Sequence, residues 1–280
     1  MQVFSEISAL RSFLAPLRSA SHPLGLVPTM GALHAGHLAL IAQSKQHNAL
    51  TVASIFVNPT QFNNAADLEK YPRMLEADKA KLEAAGCDVL FCPSVLEMYP
   101  APSTLTMDFG HLNGILEGEF RPGHFSGVGL VVAKLFNIVQ PTRAYFGQKD
   151  FQQLMVIQKL VNELCLPVEI VPVPTLREPD GLAMSSRNLR LTPEERSHAP
   201  VFYQVLQDAQ TAIHLQKPWK EIREQAEMKI TSRGFRLEYL ALATHANFQL
   251  TENVTDPQPK VLLIAGYAGT VRLIDNLIIE

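Results

Sequence analysis

The sequence predicts an α/β protein, with a parallel-sheet N-terminal domain over residues 1–176 and a smaller α+β domain over 177–280. Three observations carry that expectation. Up to about residue 173, short β-rich runs alternate with helical patterns of 10–15 residues, as in βαβ units with right-handed crossovers. The rhythm changes at Val173-Pro174-Thr175, after which two helical segments precede three grouped strand-like runs. A chain of 280 residues, 47% hydrophobic, is also long and apolar enough for one large or two modest cores.

The elements follow in order. Residues 5–19 read as a helix, 24–28 as a short buried strand ended by Pro28, and 36–47 as a helix. The run LTVASIFV over 50–57 is a strand closed by Asn58-Pro59. Residues 73–85 form a helix with Met74, Leu75, Ala77, Lys81, Leu82 and Ala85 near one face and Gly86 as its stop. A strand at 89–92 comes next, then an apolar helix over 125–139 halted before Pro141. A strand at 143–146, a helix at 149–164 and a strand at 168–173 complete the alternation. In the second domain Thr192-Pro193-Glu194-Glu195 is a capping box with proline at the first helical position, opening a helix expected to reach about Leu215. A charged helix over 219–232 stops at Gly234, and strands are expected at 237–243, 261–265 and 270–274. The polar, proline-bearing segment 251–260 reads as a surface loop.

Charge and cysteine usage exclude several function classes. With 24 Lys+Arg against 27 Asp+Glu the net charge is −3, so no general basic field draws nucleic acid, and any anion must be held by local devices. Three cysteines, an odd number without metal-ligand spacing, argue against a disulfide framework. The first twenty residues carry Glu6 and lack the apolar core of a signal peptide, and no window approaches 18 consecutive apolar residues. A cytoplasmic protein without membrane association is expected.

The motif that carries chemistry is Pro28-Thr29-Met30-Gly31-Ala32-Leu33-His34-Ala35-Gly36-His37, between a strand and a helix. An open α/β sheet presents a helix N-terminus to ligands there, and unsatisfied N–H groups with a positive dipole end suit phosphate. His34 and His37, three apart, share a face of the first turn, and each can donate to phosphate oxygen. The competing reading of such a pair at a helix start is a cap or a solvated surface. A zinc site is disfavoured because the glutamate of HExxH and a third ligand are missing, and neither a P-loop nor a GxGxxG is present. A second polar loop, Met184-Ser185-Ser186-Arg187-Asn188, offers two hydroxyls and a guanidinium for phosphate.

An HxGH early and a Met-Ser-Ser-Arg loop much later resemble the two signature elements of the HxGH nucleotidyltransferase superfamily, whose members bind ATP on a Rossmann-like sheet. Three further blocks narrow the resemblance: Asn58-Pro59-Thr60-Gln61-Phe62, Arg121-Pro122-Gly123-His124-Phe125-Ser126-Gly127-Val128, and Phe146-Gly147-Gln148-Lys149-Asp150-Phe151-Gln152-Gln153-Leu154. Together and in this order, over about residues 24–192, they resemble the pantothenate synthetase (pantoate–β-alanine ligase) family. Ala35 departs from the glutamate found there in many members.

The resemblance implies ATP-dependent condensation of (R)-pantoate with β-alanine through a pantoyl adenylate, with Mg2+ and a homodimer. It implies that His34, His37 and Lys149 act on the phosphates. Met30, Gly31, Ala32, Leu33, Ala35 and Gly36 would line the ATP beside the two histidines, Gln148 would also bind it, and Gly147 and Asp150 would fit its ribose. Leu176 and Met184 would frame adenine, and Ser185, Ser186 and Arg187 would hold the triphosphate from a C-terminal lid. Gln61 and Gln153 would hold pantoate, with Asn58 beside them and Gln61 near β-alanine, and Asp78 would contact Mg2+. A nucleotidylyltransferase of the same superfamily and a non-catalytic nucleotide sensor are the alternatives.

Overall fold

Six strands form a wholly parallel sheet in the first part of the chain: β1 (Gln2–Phe4), β2 (Leu24–Thr29), β3 (Leu50–Ile55), β4 (Val89–Phe91), β5 (Arg143–Gly147) and β6 (Glu169–Val173). Their spatial order is β1-β4-β3-β2-β5-β6. The computed structural model describes residues 1–18, 22–63 and 65–280. Helices α1 (Ile7–Leu14), α2 (Ala35–His47), α3 (Ala65–Glu69), α4 (Leu75–Ala84), α5 (Val95–Met98), α6 (Glu117–Phe120), α7 (His124–Val139) and α8 (Phe151–Glu163) connect the strands. One core layer joins Val27, Ala53, Leu90 and Tyr145 of the sheet to Leu33, Leu40, Ile41 and Leu82. Apolar runs such as Leu24–Val27 and Val89–Phe91 are buried at every position, as strands covered on both faces must be.

Two glycines set how closely elements approach. A Cβ on Gly25 would lie 2.2 Å from the Ser44 hydroxyl, so glycine lets α2 rest on β2. A Cβ on Gly127 would lie 2.2 Å from the Thr60 carbonyl oxygen, so glycine lets α7 touch the 3-10 turn Pro59–Gln61.

By contacts the chain divides into two compact units, one of Met1–Gln148 with Gln152–Pro174, the other of Lys149–Phe151 with Thr175–Glu280. The second holds an antiparallel sheet of β7 (Arg236–Thr244), β8 (Lys260–Ala268) and β9 (Val271–Ile279), with α9 (Pro193–His198), α10 (Val201–His214) and α11 (Trp219–Thr231). Leu240, Leu242, Leu262, Ile264 and Leu273 pack there with Phe202, Val205, Leu206, Ile222 and Ile230. The Rossmann-like sheet followed by a smaller α+β unit is the predicted fold class.

Several boundaries differ from the sequence expectation. The first helix ends at Leu14 and tightens into a 3-10 turn at Ala15–Leu17, where Pro16 removes an N–H; residue 19 lies outside the described residues. Strand β1, unexpected, exists through its register with β4. The helix expected over 149–164 starts as a 3-10 turn, Gln148–Asp150, before α8. The helix expected from Thr192 to about Leu215 is two helices, because Pro200 has no N–H to donate back. Strands β8 and β9 run longer than expected and meet in a two-residue hairpin, Gly269-Thr270, with Gly269 at φ +56°.

Candidate active site

The strand order reverses direction at β2. The chain steps outward through β3 and β4 on one side and through β5 and β6 on the other. β2 pairs with β3 over its whole length but with β5 only at Gly25–Arg143 and Leu26–Ala144. The two strands therefore part toward their carboxyl ends, and the segments that leave them, Met30–His34 and Gly147-Gln148, flank the crevice that such a switch point opens.

After β2 the backbone turns through left-handed Gly31 (φ +82°) and Ala32 (φ +50°). Side chains of α4 hold this turn. Both Asp78 carboxylate oxygens accept backbone N–H bonds, Oδ2 from Ala32 and Oδ1 from Leu33, each at 2.8 Å. Lys81 Nζ donates to the Leu33 carbonyl at 2.6 Å. Asp78 is only 1% exposed, so its expected role as an Mg2+ contact is corrected: the carboxylate is engaged inside the protein by two amides. The same bonds remove the Ala32 and Leu33 N–H groups from the expected ATP lining.

His34 then caps α2. Its Nδ1 accepts from the Gly36 N–H at 3.2 Å, and His37 Nδ1 accepts from the His34 N–H at 3.4 Å, a capping box built from two imidazoles. Their ring centroids lie 4.0 Å apart. With each Nδ1 accepting, a neutral ring carries its proton on Nε2, a donor suited to phosphate oxygen. Ala35 is exposed at the first position of α2.

Beside this turn the Gln61 Nε2 donates to Met30 Sδ at 3.0 Å. Its amide is oriented by Asn58, whose Nδ2 donates to Gln61 Oε1 and to the Gly127 carbonyl, both at 3.1 Å. Asn58 Oδ1 accepts from the Tyr99 hydroxyl at 2.9 Å and from Thr60. Burial pushes the Tyr99 phenol above its usual pKa, which keeps it a donor. Asn58, 1% exposed with its polar atoms bonded inside the protein, is therefore corrected from substrate contact to support for Gln61. His124 Nδ1 meets the Gln61 carbonyl oxygen at 2.8 Å, a contact not expected from the sequence. Gln153 is half-buried in the first turn of α8, while the adjacent Gln152 anchors Glu117, Leu112 and Ile115. A Cβ on Gly147 would meet nothing within 4 Å, so the protein itself makes no steric demand for glycine there.

In the second unit a small open cavity is lined by Lys149, Ser185, Arg187, Asn188, Arg272 and Asp275 among others. The Ser185 hydroxyl caps the 3-10 turn Ser186–Arg190 by accepting from the Arg187 N–H at 3.2 Å. Met184 donates its N–H to the carbonyl of exposed Leu176 at 3.0 Å, closing the loop between them, and Asp150 is exposed. Arg177, Asp275 and Asn276 were not singled out from the sequence. Their signal was a polar pair inside the apolar run Leu273-Ile274-Asp275-Asn276-Leu277-Ile278-Ile279. Among the described residues, no group of three or more His, Cys, Asp or Glu side chains is placed to hold a metal, and no helix is long and apolar enough to cross a membrane.

Comparison with known proteins matches the family model for pantoate-beta-alanine ligase to residues 2–278. A pantothenate synthetase of Porphyromonas gingivalis is 47% identical over 277 residues, covering 99% of each chain. One from Allorhizobium ampelinum is 47% identical over 285 residues, covering 100% of this chain and 96% of the relative. The crystal structure of pantothenate synthetase from Thermus thermophilus superposes with a TM-score of 0.90 at 44% identity, with 99% of each chain covered. Pantoate-beta-alanine ligase from Francisella tularensis, solved with beta-gamma ATP and beta-alanine, gives 0.84 at 38% identity, covering 99% of this chain and 97% of that one.

Proposed function

The chain belongs to the pantoate–β-alanine ligase family, and we propose that it joins (R)-pantoate to β-alanine using ATP, forming pantothenate, AMP and pyrophosphate. The observation that carries this reading is the reciprocal His34–His37 cap, with an Nε2 donor on each ring, in the segment after β2 that Gln61 meets through Met30 at the switch point of the sheet.

A carboxylate is a poor electrophile, so the acid is first activated. The pantoate carboxylate attacks the α-phosphorus of ATP, and the bond to pyrophosphate breaks to leave pantoyl adenylate. The β-alanine amine then attacks the acyl carbon, loses a proton, and AMP departs with the bonding electrons. The protein's task is positioning and charge stabilisation, together with keeping water from the acyl phosphate. His34 and His37 donate Nε2–H to the phosphates, His37 being the proton donor. Lys149 neutralises charge in the transition state, and Ser185, Ser186 and Arg187 hold the triphosphate. Gln61 donates its Nε2 to pantoate, with Gln153 as the second amide. Met30, Gly36, Gly147, Gln148, Asp150, Leu176 and Met184 line the nucleotide, and the open space over Gly147 supports a close ribose contact. Mg2+ would shield phosphate charge when bound, chiefly through phosphate oxygens and water. Asp78 does not fit it, and no step is assigned to the ion. A homodimer in the cytoplasm completes the proposal.

Pantoate-dependent ATP–pyrophosphate exchange tests this directly. The wild type should exchange with pantoate alone and release AMP in bulk only with both acids. His37→Ala and Lys149→Ala should each slow exchange by roughly 10²–10³-fold, the effect of losing one charge-stabilising donor. Exchange that ignores pantoate, or both variants at the wild-type rate, would sink the assignment.

A further inference from the structure

Lys149 opens a short segment, Lys149–Phe151, that contacts assign to the unit of residues 175–280 from outside its main run. Its carbonyl oxygen accepts from Asn276 Nδ2 on β9 at 2.7 Å, a bond across 127 positions of sequence. Asn276 is 5% exposed, and its backbone is gripped by neighbours. Its N–H donates to Asp275 Oδ1 at 2.8 Å, and its carbonyl accepts from Arg177 Nη2 at 3.2 Å. Arg177 closes a two-pronged ion pair on Asp275, with Nη1 to Oδ2 at 2.6 Å and Nη2 to Oδ1 at 3.0 Å. It also donates to the Gly181 carbonyl at 3.1 Å and lies over the Tyr203 ring, 3.7 Å from its centroid. Burial raises the Asp275 carboxyl pKa, while Arg177, the Asn276 N–H and the charge of Lys149 oppose that rise.

This knot reaches two places. Through Asn276 it holds the main chain at Lys149. Through Gly181 and the Arg177–Ala183 bridge it holds the hairpin from which Met184, Ser185 and Arg187 emerge. Lys149, Ser185, Arg187 and Asp275 all line the same cavity. A flexible ammonium has three rotatable donors on a four-carbon stem, so where its backbone is pinned decides what it reaches.

We propose that Asn276, fixed by the Arg177–Asp275 ion pair, is a positioning residue that sets the main chain at Lys149 for phosphate contact. The proposal rests on the phosphate role given to Lys149 above. A reacting group displaced by about 1 Å loses up to roughly 10²-fold in rate, and loss of one anchor beside a retained side chain should cost less.

The test is a double-mutant cycle on the full chain with Asn276→Ala, Lys149→Ala and the double variant, read by pantoate-dependent ATP–pyrophosphate exchange and by thermal unfolding. Asn276→Ala should lower kcat about 10-fold with KM for pantoate unchanged, since Gln61 and its supports are untouched. In the Lys149→Ala background the same change should cost no more than about 2-fold, because residues that act as a unit are not additive. Asn276→Ser keeps the strand's backbone bonds but is too short to reach the Lys149 carbonyl, and it carries the same comparison if the alanine variant unfolds. A wild-type kcat with Asn276 removed and Lys149→Ala slow, or an undiminished loss in the Lys149→Ala background, overturns the positioning role alone. Wild-type exchange by Lys149→Ala overturns the role of Lys149 itself, and that of Asn276 with it.

Discussion

Asp78 and Asn58 show how little a polar residue's type says about its task. An acid in a helix's first turn and an amide after a strand both read as ligand contacts in sequence. Burial decided otherwise, since a group taken from water must find partners in the protein. Asp78 found two backbone amides, and Asn58 found Tyr99, Thr60, Gln61 and the Gly127 carbonyl. The histidines were legible because their spacing and helix-start position are local; their Nε2–H tautomer was not, since it follows from which backbone N–H each Nδ1 accepts. Asp78→Asn tests the corrected role. One amide group must then face a backbone N–H, leaving a donor unmatched at a cost of about 1–3 kcal/mol. Urea unfolding should show that loss, and KM for ATP should rise as the turn before His34 loosens. Unchanged stability and KM would return Asp78 to the candidates for ligand contact.

Whole elements divide the same way. Helix α7 was readable from its apolar run and its stop, and α9 from its capping box, whose two reciprocal bonds join Thr192 and Glu195. Strand β1 was not readable, because three residues have no period of their own and gain strand structure only beside β4. The break at Pro200 was visible as a proline, but its consequence was underestimated: Ala199 and Pro200 keep helical dihedrals, yet the helix is interrupted there because Pro200 has no N–H to donate. The close approach of α7 to the Pro59–Gln61 turn was invisible, since Gly127 looks like any helix glycine until the Thr60 carbonyl is found against it. Gly127→Ala should therefore push that turn away. We expect a destabilisation of about 1–3 kcal/mol from overpacking and a raised KM for pantoate, because Gln61 sits on the displaced turn. Steady-state kinetics with a denaturant curve would check both, and a pantoate KM at the wild-type value would count against Gln61 as the pantoate amide.

For the molecule as a whole, pH dependence of stability offers a test that needs no ligand. Cys87, 4% exposed and hydrogen-bonded to the carbonyls of Val89 and Thr51, has its thiol pushed up to about 11 from an ordinary 9.0 by burial. A raised pKa means the folded state keeps a proton that the unfolded chain gives up. Its stabilisation is complete below pH 9 and disappears as pH rises toward 11, a loss of about 2 kcal/mol. The stability of the wild type relative to Cys87→Ala should fall by that amount across this range, and a constant difference would show that the thiol titrates normally. A net charge of −3 supplies no general basic field, so any anion must be held by local groups. What the sequence alone determined was the alternation that makes a parallel sheet, the change to a grouped α+β pattern, and the motifs of the family. Periodicity, caps and short motifs act within a few residues of one another. What only the tertiary structure decided was which polar groups are bonded inside the protein to hold the scaffold. Those assignments depend on pairs 46 positions apart, as for Asp78 and Ala32, or 127 apart, as for Asn276 and Lys149, brought together by burial that no local pattern encodes.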